Sequence, residues 1–316
     1  MNDNTSNTEK SSNTEQALVN RIAWEAISEQ RRARRWSIFF KFFFAGYFLL
    51  FLIFLLPADW DSDAIIGAKH TALIDIKGVI SADSEASADY VVRGLKDAFE
   101  DSSTAGVILR INSPGGSPVQ AGYIYDEIKR LRGLHPDIPL YAVITDICAS
   151  GGYYIASAAD KIYANKASVV GSIGVIMSGF GFVDAMNKLG VERRLMHAGK
   201  NKGFLDPFSP LKPEEVEHVD KLLDDVYHQF IDVVKAGRGD RLKDDDKIFS
   251  GLVWTGEQSL DLGLVDALGS ASYVAREVIG AEDIVDYTRH ETVLDVFANK
   301  IGASMANTLS SKFELK

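Results

Sequence analysis

Residues 140–154 read LYAVITDICASGGYY, and this stretch decides the fold. Leu140 to Thr145 is a short apolar run, which predicts a strand buried in a sheet. A helix is predicted from Ser150 to about Ala159. Gly151 and Gly152 stand where the chain must turn tightly between the two elements. The stretch therefore predicts a strand, a glycine turn and a helix.

The same order of elements occurs immediately upstream. Gly106–Ile111 is a near-continuous apolar run, residues 112–117 read NSPGGS, and Pro118–Arg132 has apolar residues at helical spacing. Further elements are predicted at Thr71–Ile76 and Lys161–Ala164 (strands) and at Ser87–Glu100 and Pro213–Ala236 (helices). Strands that alternate with helices predict an α/β fold.

A different signal precedes this region. Residues 36–56 read WSIFFKFFFAGYFLLFLIFLL, and about 20 apolar residues suffice for a helix to cross a bilayer. Arginines 31, 32, 34 and 35 come before the run, and aspartates follow it, so the positive-inside rule places residues 1–35 in the cytoplasm and residues 57–316 outside it. A cleaved signal peptide is the alternative, but no Ala-x-Ala pattern follows the run.

These observations predict four segments. Residues 1–35 form a cytoplasmic tail, disordered at first and then a short basic helix, and residues 36–56 form a transmembrane helix. Residues 57–284 form the main folded domain, and residues 285–316 form a C-terminal tail.

Composition excludes several function classes. The net charge of −10 disfavours nucleic-acid binding, which needs a basic face. The single cysteine, Cys148, cannot form an internal disulfide or a zinc site by itself. No metal-ligand spacing is visible, and no cofactor is expected.

The turn at Ser150 suits a nucleophile. Ser150 would lie at a helix N-terminus, where free amides and the helix dipole favour negative charge. The amide of Gly151, with that of Gly115 from the neighbouring turn, could form an oxyanion hole. Alternatively, both are ordinary tight turns and Ser150 is only an N-cap. A phosphate cradle would need other glycine spacings.

A nucleophilic serine needs a base. Of the six histidines, only His197 lies in a segment of interest, residues 196–203, which read MHAGKNKG. Lys200 and Lys202 lie in the same segment. A lysine can act as the base when burial keeps it neutral, and serine–lysine pairs are known variants of the catalytic triad. Otherwise both lysines are solvated loop charges.

The chain resembles the signal peptide peptidase SppA family of serine proteases, in its short, single-unit bacterial form. The resemblance covers roughly residues 68–275 and rests on several motifs in the family's order: residues 112–116 (NSPGG), 149–154 (ASGGYY), 158–162 (AADKI), 171–175 (GSIGV), and then Gly251, Trp254, Thr255-Gly256, Gln258 and residues 263–266 (GLVD).

This resemblance implies a Clp protease/crotonase-like fold with Ser150 as nucleophile. The family's Gly-x-x-Lys element matches residues 199–202, which makes Lys202 the base and Lys200 the reserve. Ser172 matches a serine that orients the lysine, and Gly115 and Gly151 match the oxyanion donors. Clp protease itself uses a histidine base, but no histidine occurs between Ser150 and His197.

The resemblance also implies partners and a location. Single-unit members form a ring-shaped homo-oligomer in which the lysine of one protomer meets the serine of its neighbour. The substrates would be hydrophobic peptides such as signal-peptide remnants, and the location a bacterial inner membrane with the protease domain on the periplasmic side. One departure is that Gly203-Phe204 follows Lys202 where the family has an acidic residue. The alternative functions are a crotonase-like acyl-CoA enzyme and a non-catalytic ring-forming scaffold.

Overall fold

The computed structural model describes residues 24, 29–32, 34–51 and 68–290. The predicted disordered tail at residues 1–16, the end of the predicted apolar span at residues 52–56 and most of the predicted C-terminal tail, from residue 291, lie outside the described residues. The chain divides into two units, Met1–Ile66 and Gly67–Lys316. In the first unit, residues 34–51 are helical and their apolar side chains are exposed. Among the described residues, no helix combines the length and the apolar character needed to cross a membrane.

The second unit alternates strands and helices. The strands are β1 (His70–Lys77), β2 (Thr104–Ser113), β3 (Leu140–Ala149), β4 (Lys161–Ala164), β5 (Val169–Gly171), β6 (Val253–Thr255), β7 (Ala267–Leu268) and β8 (Ile284–Asp286). The helices are α1 (Ala88–Glu100), α2 (Pro118–Leu134), α3 (Gly151–Ala156), α4 (Val183–Leu189), α5 (Pro213–Arg238), α6 (Gly256–Asp261) and α7 (Ala271–Tyr273), which continues as a π-helix over Val274–Ile279.

The eight strands of residues 68–290 belong to one sheet that forks at β3. The main path runs β6-β5-β3-β2-β1-β8, and β4 pairs with β3 and β7 off this path. The first half of β3, up to Ile144, pairs with β4, whereas its last residues, Ile147 to Ala149, pair with β5. Every pairing is parallel except that of β5 with β6. The fork places the C-terminal end of β3, and so Ser150, between β2 and β5.

Two apolar cores cover the faces of the sheet. The larger packs α1, α2 and α3 against alternate residues of the central strands, among them Ile74, Leu109 and Ala142. The smaller packs the π-helix, through Val274 and Ala275, against the opposite face. Burial of both faces explains why β1, β2 and β3 are nearly continuous apolar runs.

The predicted α/β fold is confirmed, and the four strands and four helices predicted between residues 71 and 236 are all present. The helix predicted to reach Ala159 ends at Ala156. The boundary predicted after residue 284 is misplaced, because it falls inside β8. That strand pairs with β1, and the Tyr287 amide then donates to the Leu73 carbonyl at 2.8 Å.

A buried ion pair joins the long helix α5 to the loop before β7. Arg238 is 1% exposed, and its Nη1 donates to Asp266 Oδ2 at 2.8 Å. The same carboxylate oxygen accepts the Ile162 amide at 2.7 Å. Burial raises the pKa of the Asp266 carboxyl, but the hydrogen bonds from Arg238 and Ile162 outweigh burial and hold the pKa below its usual value.

Candidate active site

Ser150 occupies a strained turn between β3 and α3. Its φ of 51° and ψ of −124° are sparsely populated by residues other than glycine. Ser150 is the N-cap residue of α3, but its side chain makes no capping hydrogen bond to the helix. The residue is only partly buried, and its amide donates to the Gly171 carbonyl at 2.9 Å. The fold thus holds the Ser150 hydroxyl accessible at the end of a buried strand, where it does not cap the helix.

The turn after β2 lies directly against this hydroxyl-bearing turn. A Cβ added at Gly115 would lie 2.7 Å from both Gly151 N and Ser150 Cβ. Gly115 also has a φ of +99°, so the position requires glycine for space and for backbone conformation. The structure therefore brings the two predicted turns together.

In the turn after β2, the amides of Gly115 and Gly116 differ in their hydrogen bonding. The Gly115 amide donates to the buried Ser113 hydroxyl at 3.1 Å, and that hydroxyl donates to the Gly78 carbonyl at 2.6 Å. Over residues 68–290, the amides of Gly116 and Gly151 have no hydrogen-bond partner. A Cβ built on Gly151 would lie 3.4 Å from Gly116 N. The predicted donor Gly115 is thus paired with Ser113, whereas the neighbouring amides of Gly116 and Gly151 are unpaired over residues 68–290.

Ser172 lies one residue beyond the carbonyl that fixes Ser150. It has a φ of 52°, and its amide donates to the Leu252 carbonyl at 2.7 Å. A Cβ at Gly171 would lie 2.8 Å from the Trp254 ring, which shows how tightly β6 packs there. The structure thus places Ser172 beside the Ser150 turn.

The two lysines do not meet Ser150 within one chain. Lys200 and Lys202 are both exposed, in a turn where the Lys202 amide donates to the Gly199 carbonyl at 3.0 Å. In the described part of the chain, no hydrogen bond links either lysine to the Ser150 turn.

The six histidines also contact residues other than Ser150. Across residues 68–290, none of the six bonds to Ser150. Their neighbours are Tyr287 for His70, Phe99 for His135, Gly199 for His197, Phe204 for His218, Asp224 for His228 and Glu85 for His290. A serine–histidine pair is therefore not formed within this part of the chain.

The lysines belong to an exposed apolar segment. No residue from 176 to 211 is buried, and Ile176 and Met196 are 89% and 90% exposed. Other large apolar side chains exposed there are Met177, Phe180, Leu189, Val191 and Leu211. Apolar surface of this extent usually marks a place where another protein or a ligand binds.

Comparison with known proteins agrees with the predicted family. The model of "Peptidase family S49" matches residues 133–283. The chain is 36% identical over 202 residues to "Putative protease slr0021" of Synechocystis, a match that covers 64% of this chain and 70% of that protein. It is 35% identical over 175 residues to "Putative signal peptide peptidase SppA" of Enterococcus faecium, covering 55% of this chain and 50% of that protein.

A further similarity involves a much longer protein. Over 186 residues the chain is 45% identical to "Na(+)/H(+) antiporter NhaA" of Brucella melitensis, a match that covers 59% of this chain and 25% of that protein. Three quarters of that relative thus have no counterpart in the match. By its match to the family model and its similarity to these proteases, the chain belongs to peptidase family S49, the serine peptidases of the SppA type.

Proposed function

We propose that the chain is a membrane-anchored serine endopeptidase that uses Ser150 as nucleophile and Lys202 as general base. The observation that carries the proposal is the strained, accessible Ser150 turn packed against a second turn with a free amide. Nucleophilic serines are held in strained turns of this kind between a strand and a helix. The family membership supports the same chemistry.

The proposed reaction begins when neutral Lys202 accepts the proton of the Ser150 hydroxyl. The oxygen attacks the scissile carbonyl, and the negative charge that forms on the carbonyl oxygen is stabilised by the amides of Gly116 and Gly151. The lysine then gives its proton to the leaving amine, and water hydrolyses the acyl-enzyme. Ser172 orients the lysine amine in this scheme. No cofactor takes part.

Two protomers would form each active site. The Ser150 turn lies in the sheet, whereas Lys202 lies in the exposed apolar segment, residues 176–211. A second copy of the chain that covered this segment would bury apolar surface and could bring its lysine to Ser150. Burial at that contact would also favour the neutral amine that a base requires. A ring-shaped homo-oligomer with shared sites would both cover the exposed apolar segment and bring the lysine of one protomer to Ser150 of the next.

The anchor and the substrates follow from the sequence and the family. The apolar run at residues 36–56, preceded by arginines, would hold the protease domain on the periplasmic side of a bacterial inner membrane. A protease that is tethered to a membrane suits hydrophobic peptides and signal-peptide remnants, and one relative carries the name of a signal peptide peptidase. The fold would be that of the Clp protease and crotonase group.

Active-site labelling tests this function. The full-length chain is treated with a serine-directed fluorophosphonate, digested and analysed by mass spectrometry. We expect the label on Ser150. An unlabelled Ser150 in the assembled protein would contradict the proposal, and binding of coenzyme A would then favour the acyl-CoA alternative.

A further inference from the structure

We propose that His197 is a positioning residue, which holds the turn that carries Lys202 in shape through the carbonyl of Gly199. The inference rests on the proposed function, in which Lys202 is the general base. It assigns a role to the one histidine that lies in the lysine segment.

The carbonyl of Gly199 accepts two hydrogen bonds. One comes from the Lys202 amide at 3.0 Å and closes the turn, and the other comes from His197 Nδ1 at 2.9 Å. Because a carbonyl oxygen only accepts, Nδ1 of His197 carries the proton. Gly199 itself has a φ of +98°, a conformation that the second hydrogen bond helps to fix.

The ring of His197 also lies against the other side of the turn. A Cβ added at Gly203 would lie 3.6 Å from His197 Cδ2 and 2.7 Å from Leu195 Cδ2. The absence of a side chain at Gly203 therefore lets Leu195 and the imidazole pack close to the backbone. His197 thus bonds to the chain before Lys202 and lies close to the chain after it.

The far end of the turn is attached to α5. Glu215 is 8% exposed, and its carboxylate accepts the Leu205 amide at 3.4 Å and the Lys212 ammonium at 3.1 Å. Phe204 packs edge-to-face on His218, with ring centroids 5.6 Å apart. These contacts fix the loop after Lys202, and the hydrogen bond from His197 to Gly199 fixes the turn before it.

A residue that positions the general base affects the rate of the reaction more than it affects substrate binding. A base that lies about 1 Å from its best position can cost about 100-fold in rate.

Two substitutions separate the hydrogen bond from the ring. In His197→Asn the side-chain amide can still donate near the position of Nδ1, whereas His197→Ala removes the donor. We expect kcat for a hydrophobic fluorogenic peptide to fall about 10-fold or more in His197→Ala, with KM within about 2-fold, and to be largely retained in His197→Asn. His228→Ala is the matched control, since His228 is exposed and, in the described part of the chain, bonds to Asp224 within α5.

A readout that does not depend on activity accompanies the kinetics. Hydrogen–deuterium exchange is followed in peptides that cover residues 199–206 of the full-length protein. Exchange in these peptides should quicken in His197→Ala and stay near wild type in His197→Asn. Unchanged exchange together with unchanged kcat in His197→Ala would overturn the inference.

The two proposals fail differently. The wild type could cleave no peptide while His197→Ala still speeds exchange in residues 199–206. In that case the proposed function fails, and His197 has no role in catalysis. The conclusion that His197 holds the turn in shape would still stand. If the wild type is active and His197→Ala changes exchange but not kcat, the positioning role is overturned and the proposed function survives.

Discussion

The Ser113 hydroxyl accepts a hydrogen bond from the Gly115 amide at 3.1 Å. Ser113 is fully buried, and the same hydroxyl donates to the Gly78 carbonyl. This arrangement fixes the backbone between β2 and α2 and leaves the next amide, that of Gly116, unpaired within residues 68–290. Ser113 thereby determines which amide of the turn stays unpaired and so could stabilise the oxyanion of the proposed mechanism.

Ser113→Ala should therefore lower kcat. Loss of one oxyanion donor typically costs 100- to 1,000-fold, and a displaced donor should cost less, about 10- to 100-fold, with little change in KM. Steady-state kinetics on a fluorogenic peptide measure both constants. Ser157→Ala is the control, because Ser157, the C-cap residue of α3, is similarly buried and donates to the Tyr154 carbonyl of the helix. Equal losses in the two variants would show that general destabilisation, rather than the turn, lowers the rate.

The Arg238–Asp266 pair should contribute strongly to stability. Asp266→Asn leaves the buried guanidinium without a counter-charge, which typically costs about 3–5 kcal/mol. Urea unfolding of the full-length protein at pH 7 measures the loss. Asp224→Asn, which removes an exposed carboxylate on α5, should change stability by less than about 0.5 kcal/mol.

The same pair predicts a dependence on pH. The folded-state pKa of Asp266 lies below its usual value of 3.8, so its stabilising effect is present above that value and is lost as pH falls through the folded pKa. The stability difference between wild type and Asp266→Asn should therefore shrink below about pH 3.8. A difference that stayed constant from pH 7 to pH 3 would contradict the assignment.

Cys148 should not react in the folded protein. It lies two residues before Ser150, yet its side chain is fully buried, and burial raises the pKa of the thiol well above its usual range. We expect iodoacetamide at pH 8 to leave native Cys148 unlabelled and peptide hydrolysis intact, whereas urea should expose the thiol to labelling. Stoichiometric labelling of the native protein with loss of activity would point to a cysteine nucleophile.

Shared active sites predict complementation between inactive variants. Ser150→Ala lacks the nucleophile and Lys202→Ala lacks the base, so a ring that mixes them contains some sites with both groups intact. Mixing the two variants under conditions that exchange subunits should restore about a quarter of wild-type activity if each site draws one residue from each protomer. No recovery, despite proven subunit exchange, would place serine and lysine in the same chain.

The main sheet could be predicted from the sequence because its strands are buried on both faces. β1, β2 and β3 are long apolar runs, and each is followed by a recognisable helix. By contrast, β5, β6 and β8 have three residues each, too short for any periodicity to be detected. The place of β8 beside β1 depends on a pairing across more than two hundred residues.

The site could be predicted only in part. The glycine turns and Ser150 were recognisable as motifs, and the structure brings them together. The sequence did not indicate that the amide of Gly115 is paired and that of Gly116 is free, because this depends on where the Ser113 hydroxyl points. The contact of His197 with Gly199 was equally hidden, although the short spacing of the two residues was the available signal.

The most direct test of the serine–lysine mechanism is peptide hydrolysis by the full-length protein and three variants, Ser150→Ala, Lys202→Ala and Lys200→Ala, with oligomer size measured for each. The proposed mechanism predicts that Ser150→Ala and Lys202→Ala keep the wild-type size and lose at least about 1,000-fold in kcat, while Lys200→Ala stays within about 3-fold of wild type. Hydrolysis by correctly assembled Ser150→Ala at the wild-type rate would contradict it.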